Sequence, residues 1–317
     1  MRVATIDIGT NTVLLLVAEK QADGTLAPVE EHATITRLGQ GVDQTRTLAP
    51  EAIARTNECL DRYAEIVRRL AAERVAVVGT SAMRDAGGGD EVRAHVTARF
   101  GVEARTISGD EEARLTFRGA LSGIAEERTG RSVCVFDIGG GSTEVVQGDR
   151  AAGSIGYAHS FDVGSVRLTE RHVRTDPPSD AELAAVRETA RAAFAAVPHL
   201  ALDAPPVGIA GTMTTLAAVS MAMDRYDAAR VHGASLSIDD LRAVIDRLAR
   251  TPLERRRTIA GLEPKRADVI VAGGLVALAF LEHVRAASVT ISDRGVRWGL
   301  AEELASRRDG GSDGTKT

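Results

Sequence analysis

The sequence predicts an α/β protein built from two similar units that enclose a cleft. Two observations predict it. The motif Asp-Ile-Gly occurs twice, as Asp7-Ile8-Gly9-Thr10-Asn11-Thr12 and as Asp137-Ile138-Gly139-Gly140-Gly141-Ser142-Thr143-Glu144, each time after an apolar run. Asp137 follows Asp7 by 130 residues, the size of a domain. Each copy also opens a stretch in which strand-like apolar runs alternate with helical periodicity. Locally each reads as strand, tight turn, strand. Glycine permits the positive φ expected in such a turn and lets backbone N–H groups approach an anion closely. One acidic glycine turn is a weak signal. Two at a domain-sized interval suggest a duplicated fold that grips a phosphate chain from both sides.

The elements follow in order. Residues 3–6 and 13–18 form a hairpin about the first turn. Residues 50–72 are helical, with Ile53, Leu60, Ala64, Val67 and Ala71 on one face. Residues 75–78 read as a buried strand and 87–89 as a loop, with Asp90 capping the next helix. A strand at 102–107 and a helix at 110–121 complete the first unit. The polar stretch 122–131 is the expected crossing. The second unit repeats the plan from 133–136, with strands at 145–147 and 152–155. Ser179-Asp180-Ala181-Glu182 is a capping box opening a helix with Leu183, Val186, Ala190, Phe194 and Val197 on one face. Residues 207–210 form a strand, and Gly211-Thr212 starts another helix. Thr251-Pro252-Leu253-Glu254 reads as a second capping box, with Pro at the first helical position. Residues 266–282 are apolar almost all round, the mark of a buried helix. A strand at 289–291 and a helix at 296–304 end the pattern. The last residues, 306–317, are rich in Gly, Asp and Arg and are expected to be disordered.

Composition narrows the function classes. The chain has 317 residues, 44% of them hydrophobic and only 3% aromatic, so the core must come from Ala, Val, Leu and Ile. No apolar run approaches the roughly 18 residues that span a bilayer, and the first residues lead straight into a strand without a signal-peptide layout. A cytoplasmic protein without a membrane partner is expected. Cys59 and Cys134 are far apart and form no CxxC pair, so they read as buried free thiols. A net charge of −5 argues against a general nucleic-acid binder, which would be basic. A polyanion would have to be met by a local site rather than by the whole surface. Arg255-Arg256-Arg257 reads as a solvated helical face. No histidines have metal-ligand spacing. Ser81 and Ser142 lack a nearby His and read as hydroxyl donors rather than nucleophiles.

Four further elements join the two turns. They are Gly79-Thr80-Ser81-Ala82-Met83-Arg84, Ile107-Ser108-Gly109-Asp110-Glu111-Glu112-Ala113-Arg114-Leu115, Gly211-Thr212-Met213-Thr214-Thr215-Leu216 and Ser292-Asp293-Arg294-Gly295-Val296-Arg297-Trp298-Gly299. Together the six resemble the exopolyphosphatase/guanosine pentaphosphate phosphatase (Ppx/GppA) family, within the actin-like ATPase and sugar-kinase superfamily, over about residues 3 to 304. The Ser-Gly-x-Glu-Glu-Ala-Arg element is the most specific of them.

The resemblance implies two actin-like (ribonuclease H-like) α/β domains around a cleft. Their expected bounds are 1–122 and 123–295, with the helix near 296–305 packing back onto the first. It implies metal-dependent hydrolysis of the terminal phosphoanhydride of inorganic polyphosphate, or removal of the 5′ phosphate of guanosine pentaphosphate by the same chemistry. A homodimer is a family-level expectation. Longer members carry an extra C-terminal helical region that this chain does not show, so short polyphosphates are the expected substrates. A small-molecule kinase of the same superfamily and a non-hydrolysing alarmone sensor are the remoter alternatives.

Residue by residue, Glu112 matches the catalytic glutamate that would deprotonate the attacking water. On its own spacing it reads rather as a first-turn carboxylate favoured by the helix dipole, the role left to Glu111. Asp137 and Glu144 flank the second turn, where a hairpin lets both face one cleft. Their hard oxygens suit Mg²⁺ or Mn²⁺, with Asp7 as the counterpart in the first copy. Asp137 could instead only satisfy turn N–H groups. Gly9, Thr10 and Asn11 on one side, and Gly139, Gly140, Gly141 and Ser142 on the other, are the expected phosphate-binding donors. Arg84 matches a substrate-contacting arginine, though an arginine lying over Met83 has the same spacing. Gly211 and Thr212 open a helix after a strand, a ready anion site for distal phosphates or for guanosine. Arg114 could pair with Asp110 or face the cleft.

Overall fold

The computed structural model describes residues 1–306, so the tail expected to be disordered lies outside the described residues, apart from Ser306 at the end of the last helix. Eleven strands form two sheets among these residues. The first holds β1 (Arg2–Ile8), β2 (Thr12–Lys20), β3 (Leu26–Ile35), β4 (Arg74–Gly79) and β5 (Ala104–Thr106) in the order β3-β2-β1-β4-β5. The second holds β6 (Ser132–Ile138), β7 (Thr143–Asp149), β8 (Ser154–Phe161), β9 (Val207–Ile209), β10 (Ser235–Ser237) and β11 (Ser288–Ile291) in the order β10-β11-β9-β6-β7-β8. In each, two antiparallel hairpin connections lead out from the central strand on one side and parallel strands lie on the other. The plan is therefore duplicated strand for strand, with β10 added at the second edge, as the actin-like reading requires.

Central strands are covered on both faces, which explains their unbroken apolar runs. In β1, Val3, Ala4, Ile6 and Ile8 are all fully buried. The second core is centred on the helix Ile270–His283, whose residues 270–281 are all buried; Phe280 packs at a tilt against Phe136 and edge-on against Phe194. Its apolar circumference follows from being surrounded by the helices Ser165–His172, Asp180–Phe194, Ala210–Ser220 and Ile238–Arg250. Cys59 and Cys134 are buried free thiols.

Two helices tie the units together. The helix Gly109–Leu121 follows the first sheet in sequence, yet it lays Ala113, Phe117, Ala120 and Leu121 on Val133, Val135 and Val146 of the second sheet. The helix Val296–Ser306 comes last, yet it packs Trp298, Ala301 and Leu304 on Val3, Leu16 and Ala18 of the first sheet. The two helices lie against each other between the sheets.

Several local expectations are corrected. Asp90 does not cap its helix: the N-cap of Gly89–Phe100 is Gly88, at φ 93°, and Asp90 is a first-turn acid. The box at Ser179–Glu182 forms, but the one expected at Thr251–Glu254 does not. The Thr251 hydroxyl donates back to the Arg247 carbonyl at 2.6 Å, closing the preceding helix instead. The arginine run is only partly a solvated face. Arg256 is 2% exposed and donates to the carbonyls of Leu248, Thr251 and Ala267. Strand β3 has no counterpart in the sequence reading. Pro28 interrupts it, and the register slips there so that Val29 bulges out.

Candidate active site

The two Asp-Ile-Gly turns close alike: the Gly9 N–H donates to the Thr12 carbonyl at 3.1 Å, and the Gly139 N–H to the Ser142 carbonyl at 3.0 Å. The expectation of positive φ is corrected here, because none of Gly9, Gly139, Gly140 or Gly141 takes the left-handed backbone. Their need for glycine is steric. A Cβ on Gly9 would lie 2.9 Å from the Thr12 carbonyl oxygen, and one on Gly140 would lie 3.2 Å from Thr10 Cγ2 and 3.3 Å from Asn11 Cβ. The two turns therefore face each other at contact distance. The N–H groups of Thr10, Asn11, Gly140, Gly141 and Ser142 donate to no acceptor among the described residues, which leaves a two-sided set of donors for an anion.

Carboxylates converge beside this set. Asp7 and Asp137 end the central strands β1 and β6. Glu144 stands directly opposite Asp137 in the β6–β7 register, whereas Leu14 stands opposite Asp7. Glu112 sits in the first turn of Gly109–Leu121, whose N-cap Ser108 accepts from the Glu111 N–H. Glu111 turns away and pairs with Arg105 at 2.8 Å. Arg84 donates to Glu112 Oε2 at 3.0 Å and to the Ile107 carbonyl at 3.2 Å. All these carboxylates except Glu111 line one cavity of about 870 Å³, as does every candidate residue except Arg84, which stands behind Glu112.

Burial and crowding make these groups poor at holding charge unaided. Burial first, then the nearby Glu144 and Asp7 carboxylates, push Glu112 well above the ordinary carboxylate range, and Arg84 opposes the shift. The same order of causes raises Asp137 well above its usual value. Burial lifts Asp7 to about 7 against the attraction of Arg297. Burial also raises Glu144, opposed by hydrogen bonds from Ser160 (2.7 Å) and Ser142.

A buried like-charge cluster suits a cation, and one observation supports such a fit: Asp7 Oδ1 and both polar ends of the Asn11 amide are buried without a hydrogen-bond partner. No three His, Cys, Asp or Glu side chains among the described residues form a ready-made ligand cage. Hard oxygens spread in this way match Mg²⁺, which keeps waters and shares phosphate oxygens rather than filling its shell from the protein.

Gly211 and Thr212 lie in the first turn of Ala210–Ser220, and no side chain caps that helix. The sequence reading missed the residue covering them. Arg266 lies so close over Gly211 that a Cβ there would run into its guanidinium, and its Nη2 reaches across to Thr12 Oγ1 at 3.2 Å. A second bridge beside it joins Arg37 to both carboxylate oxygens of Asp268, at 2.8 and 2.9 Å. Nothing in the pattern around Arg266 separates it from the apolar helix it precedes. Arg114 is exposed and forms no ion pair among the described residues.

The model of the Ppx/GppA phosphatase family matches residues 16–307. Exopolyphosphatase 2 of Mycobacterium tuberculosis is 41% identical over 320 residues, covering 96% of this chain and 98% of that protein. A guanosine-5′-triphosphate,3′-diphosphate pyrophosphatase of Vibrio atlanticus is 28% identical over 304 residues, covering 95% of this chain and 59% of that one. The crystal structure of the Aquifex aeolicus member of the family superposes with a TM-score of 0.80 at 33% identity, over 96% of this chain and 97% of that one. With its paired turns, its Glu112 helix and these matches over nearly its whole length, the chain belongs to the Ppx/GppA phosphatase family.

Proposed function

We propose that this chain is an exopolyphosphatase that hydrolyses the terminal phosphoanhydride of short inorganic polyphosphates and releases orthophosphate. The observation that carries the reading is the placement of Glu112, backed by Arg84, beside two opposed turns with unengaged N–H groups. The turns bind and orient the terminal phosphate from both sides. Glu112 orients the attacking water and accepts its proton. Arg84 holds the Glu112 carboxylate and favours its charged form. A divalent cation held by Asp7, Asp137 and Glu144 through water and phosphate oxygens would supply the positive charge that the carboxylate cluster and the substrate both lack.

The charge pattern of the cavity wall supports a short chain. The wall mixes Lys265, Arg266 and Arg297 with Glu31, Asp224, Glu263 and Asp293, and Arg297 is already paired with Glu31 at 2.8 Å. A long polyanion running along it would pass over unfavourable carboxylates. The same wall favours one second reading, guanosine pentaphosphate. Met223, Tyr226, Leu262 and Pro264 offer apolar surface for a base, and the carboxylates offer acceptors for its N–H and hydroxyl groups.

Phosphate release from tripolyphosphate, long polyphosphate, guanosine pentaphosphate and ATP tests both readings. Tripolyphosphate turnover well above that of long chains and ATP, abolished by EDTA and restored by Mg²⁺, is expected. Turnover of guanosine pentaphosphate alone would replace the first reading by the second, and full activity in EDTA would remove the cation.

The cation also has a readout in the absence of substrate. A carboxyl whose folded pKa is raised binds a proton more tightly in the folded than in the unfolded chain. Its contribution to stability is therefore greatest at low pH and is lost as pH rises from about 4 toward the value of about 7 held by Asp7. Melting temperature in EDTA should fall across that window, and added Mg²⁺ should recover the loss at neutral pH. A melting temperature at neutral pH that Mg²⁺ leaves unchanged would count against the site.

A further inference from the structure

The first sheet divides one of its faces between the site and a helix. Residues paired on neighbouring strands share a face, so the register defines two adjacent rows. Asp7, Leu14 and Ala33 form one row, and all three line the cavity. Thr5, Leu16 and Glu31 form the next. The helix Val296–Ser306 covers this second row. The Thr5 hydroxyl donates to the Arg297 carbonyl at 2.9 Å, and Leu16 packs on Trp298. Glu31 ends the row on the edge strand β3 and lines the cavity itself.

One Glu31 oxygen collects three donors. Arg297 donates to Oε2 from Nη2 at 2.8 Å and from Nε at 3.2 Å, and Trp298 Nε1 donates to the same atom at 3.3 Å. The Asp293 carbonyl accepts a further bond from Arg297 Nη2 at 3.0 Å. A guanidinium fork that matches phosphate is thus turned onto a carboxylate. The pair is not sealed in the core: the side chain of Arg297 is 13% exposed and that of Glu31 27%, and both line the cavity. From Asp7, Glu31 lies two strands across and two residues back, away from the Gly9 turn, a separation of roughly 12 Å between Cα atoms. It therefore stands beyond a phosphate held at the turns and beside a chain that continues along the wall.

We propose that Glu31 is a specificity-determining residue that sets the length of chain the site accepts: its carboxylate keeps Arg297 engaged and so withholds a phosphate subsite from the cavity wall. The proposal rests on the exopolyphosphatase reading above. A short chain ends before the pair and is indifferent to it. A longer one meets a guanidinium whose charge is already offset and a carboxylate that repels it. With that carboxylate gone, Arg297, still held by the Asp293 carbonyl, presents its fork to the next phosphate. A pair that served only to fasten β3 to the helix would affect stability and leave chain-length preference untouched.

The test compares wild type with Glu31→Gln, which keeps the size of the side chain and removes its charge, each checked for folding by circular dichroism and thermal melting. The ratio of kcat/KM on long polyphosphate to that on tripolyphosphate is expected to rise roughly tenfold, the effect of one charge-assisted hydrogen bond. The rise should come from a lower KM on the long chain. Adding Arg297→Gln to Glu31→Gln should return the ratio to its wild-type value, because the gain acts through Arg297. A folded Glu31→Gln with the wild-type ratio, or a gain that survives the loss of Arg297, would overturn the proposal. Should Glu31→Gln not fold, Trp298 decides, since it is the single tryptophan of the chain and shares the Glu31 oxygen. In Glu112→Gln, where chains are held without turnover, long polyphosphate with Mg²⁺ is expected to shift its emission no more than tripolyphosphate does. A larger shift with the long chain shows that the chain displaces Glu31, and overturns the proposal. Wild type inactive on every phosphoanhydride would sink the exopolyphosphatase reading instead, and the wild-type rate on tripolyphosphate tells that failure from this one.

Discussion

Glu112→Gln is expected to lower kcat on tripolyphosphate by roughly 10²- to 10⁴-fold, the usual contribution of a general base, while KM changes little. The substitution keeps the shape and the acceptor oxygen that Arg84 Nη1 meets, so the fold and the Arg84 contact survive; what is lost is the ability to take a proton. The pH profile carries the sharper signature. Burial and the neighbouring Glu144 and Asp7 hold the Glu112 carboxyl above its ordinary range, and the base must be deprotonated to act. Activity should therefore rise with pH along an acid limb lying above the usual carboxylate region. The limb should move to lower pH as Mg²⁺ offsets the neighbouring charges, and should vanish in Glu112→Gln. A variant that kept a tenth or more of wild-type kcat, with the limb unmoved, would remove Glu112 from the proton transfer. The residual rate also bears on the turns, since whatever remains above the uncatalysed reaction comes from binding and orientation by their N–H groups.

The largest expected loss of stability lies far from that chemistry, at Arg256. Replacing it by Met preserves the apolar stem but removes the donors to the carbonyls of Leu248, Thr251 and Ala267; Leu248 keeps the Thr251 N–H at 3.3 Å, which leaves the buried Ala267 and part-buried Thr251 carbonyls without the guanidinium. Each unsatisfied buried acceptor costs about 1–3 kcal/mol; allowing for relaxation, Arg256→Met should destabilise by roughly 3–5 kcal/mol, the range for breaking a buried charged network. Lysine should not rescue it, because one ammonium cannot reach three acceptors that a planar fork spans. Arg255 and Arg257 are exposed, and their substitution should stay within about 0.5 kcal/mol. Chemical denaturation of the three single variants checks the contrast. Equal effects at all three positions would show that the carbonyl clamp contributes nothing beyond surface charge.

Arg256 also marks a boundary of sequence reasoning. Three consecutive arginines on a short helical turn look alike until the carbonyls that surround the middle one are known, and those come from helices and loops that the run does not announce. Arg266 escaped notice for the same reason: it meets Gly211 and Thr12, one of them 254 residues away. The parts that were legible depend on short range. Both Asp-Ile-Gly turns, the Ser179 capping box and the pairing of Asp137 with Glu144 follow from residues within one hairpin or one helical turn. The glycine expectation failed in an instructive way. Sequence suggests a local cause, a positive φ, whereas the crowding at Gly140 comes from Thr10 and Asn11 of the opposite unit. Sequence order likewise places the Glu112 helix next to the first sheet. Its apolar face of Ala113, Phe117 and Ala120 fits β6 and β7 instead, and periodicity alone does not say which sheet such a face will cover.

The two hairpins differ at one rung. Leu14 stands across from Asp7, whereas Glu144 stands across from Asp137. Two matched hairpins would form a cradle without head or tail, and a linear polyphosphate reads the same from either end. The extra carboxylate breaks that equivalence. It concentrates negative charge, and with it the demand for a cation, on one bank of the cleft, so the cradle acquires a front and a back. On the proposed function, a chain with no direction of its own would then be held with one terminus at Glu112 and the remainder leading away, which is the asymmetry that cutting from the end requires.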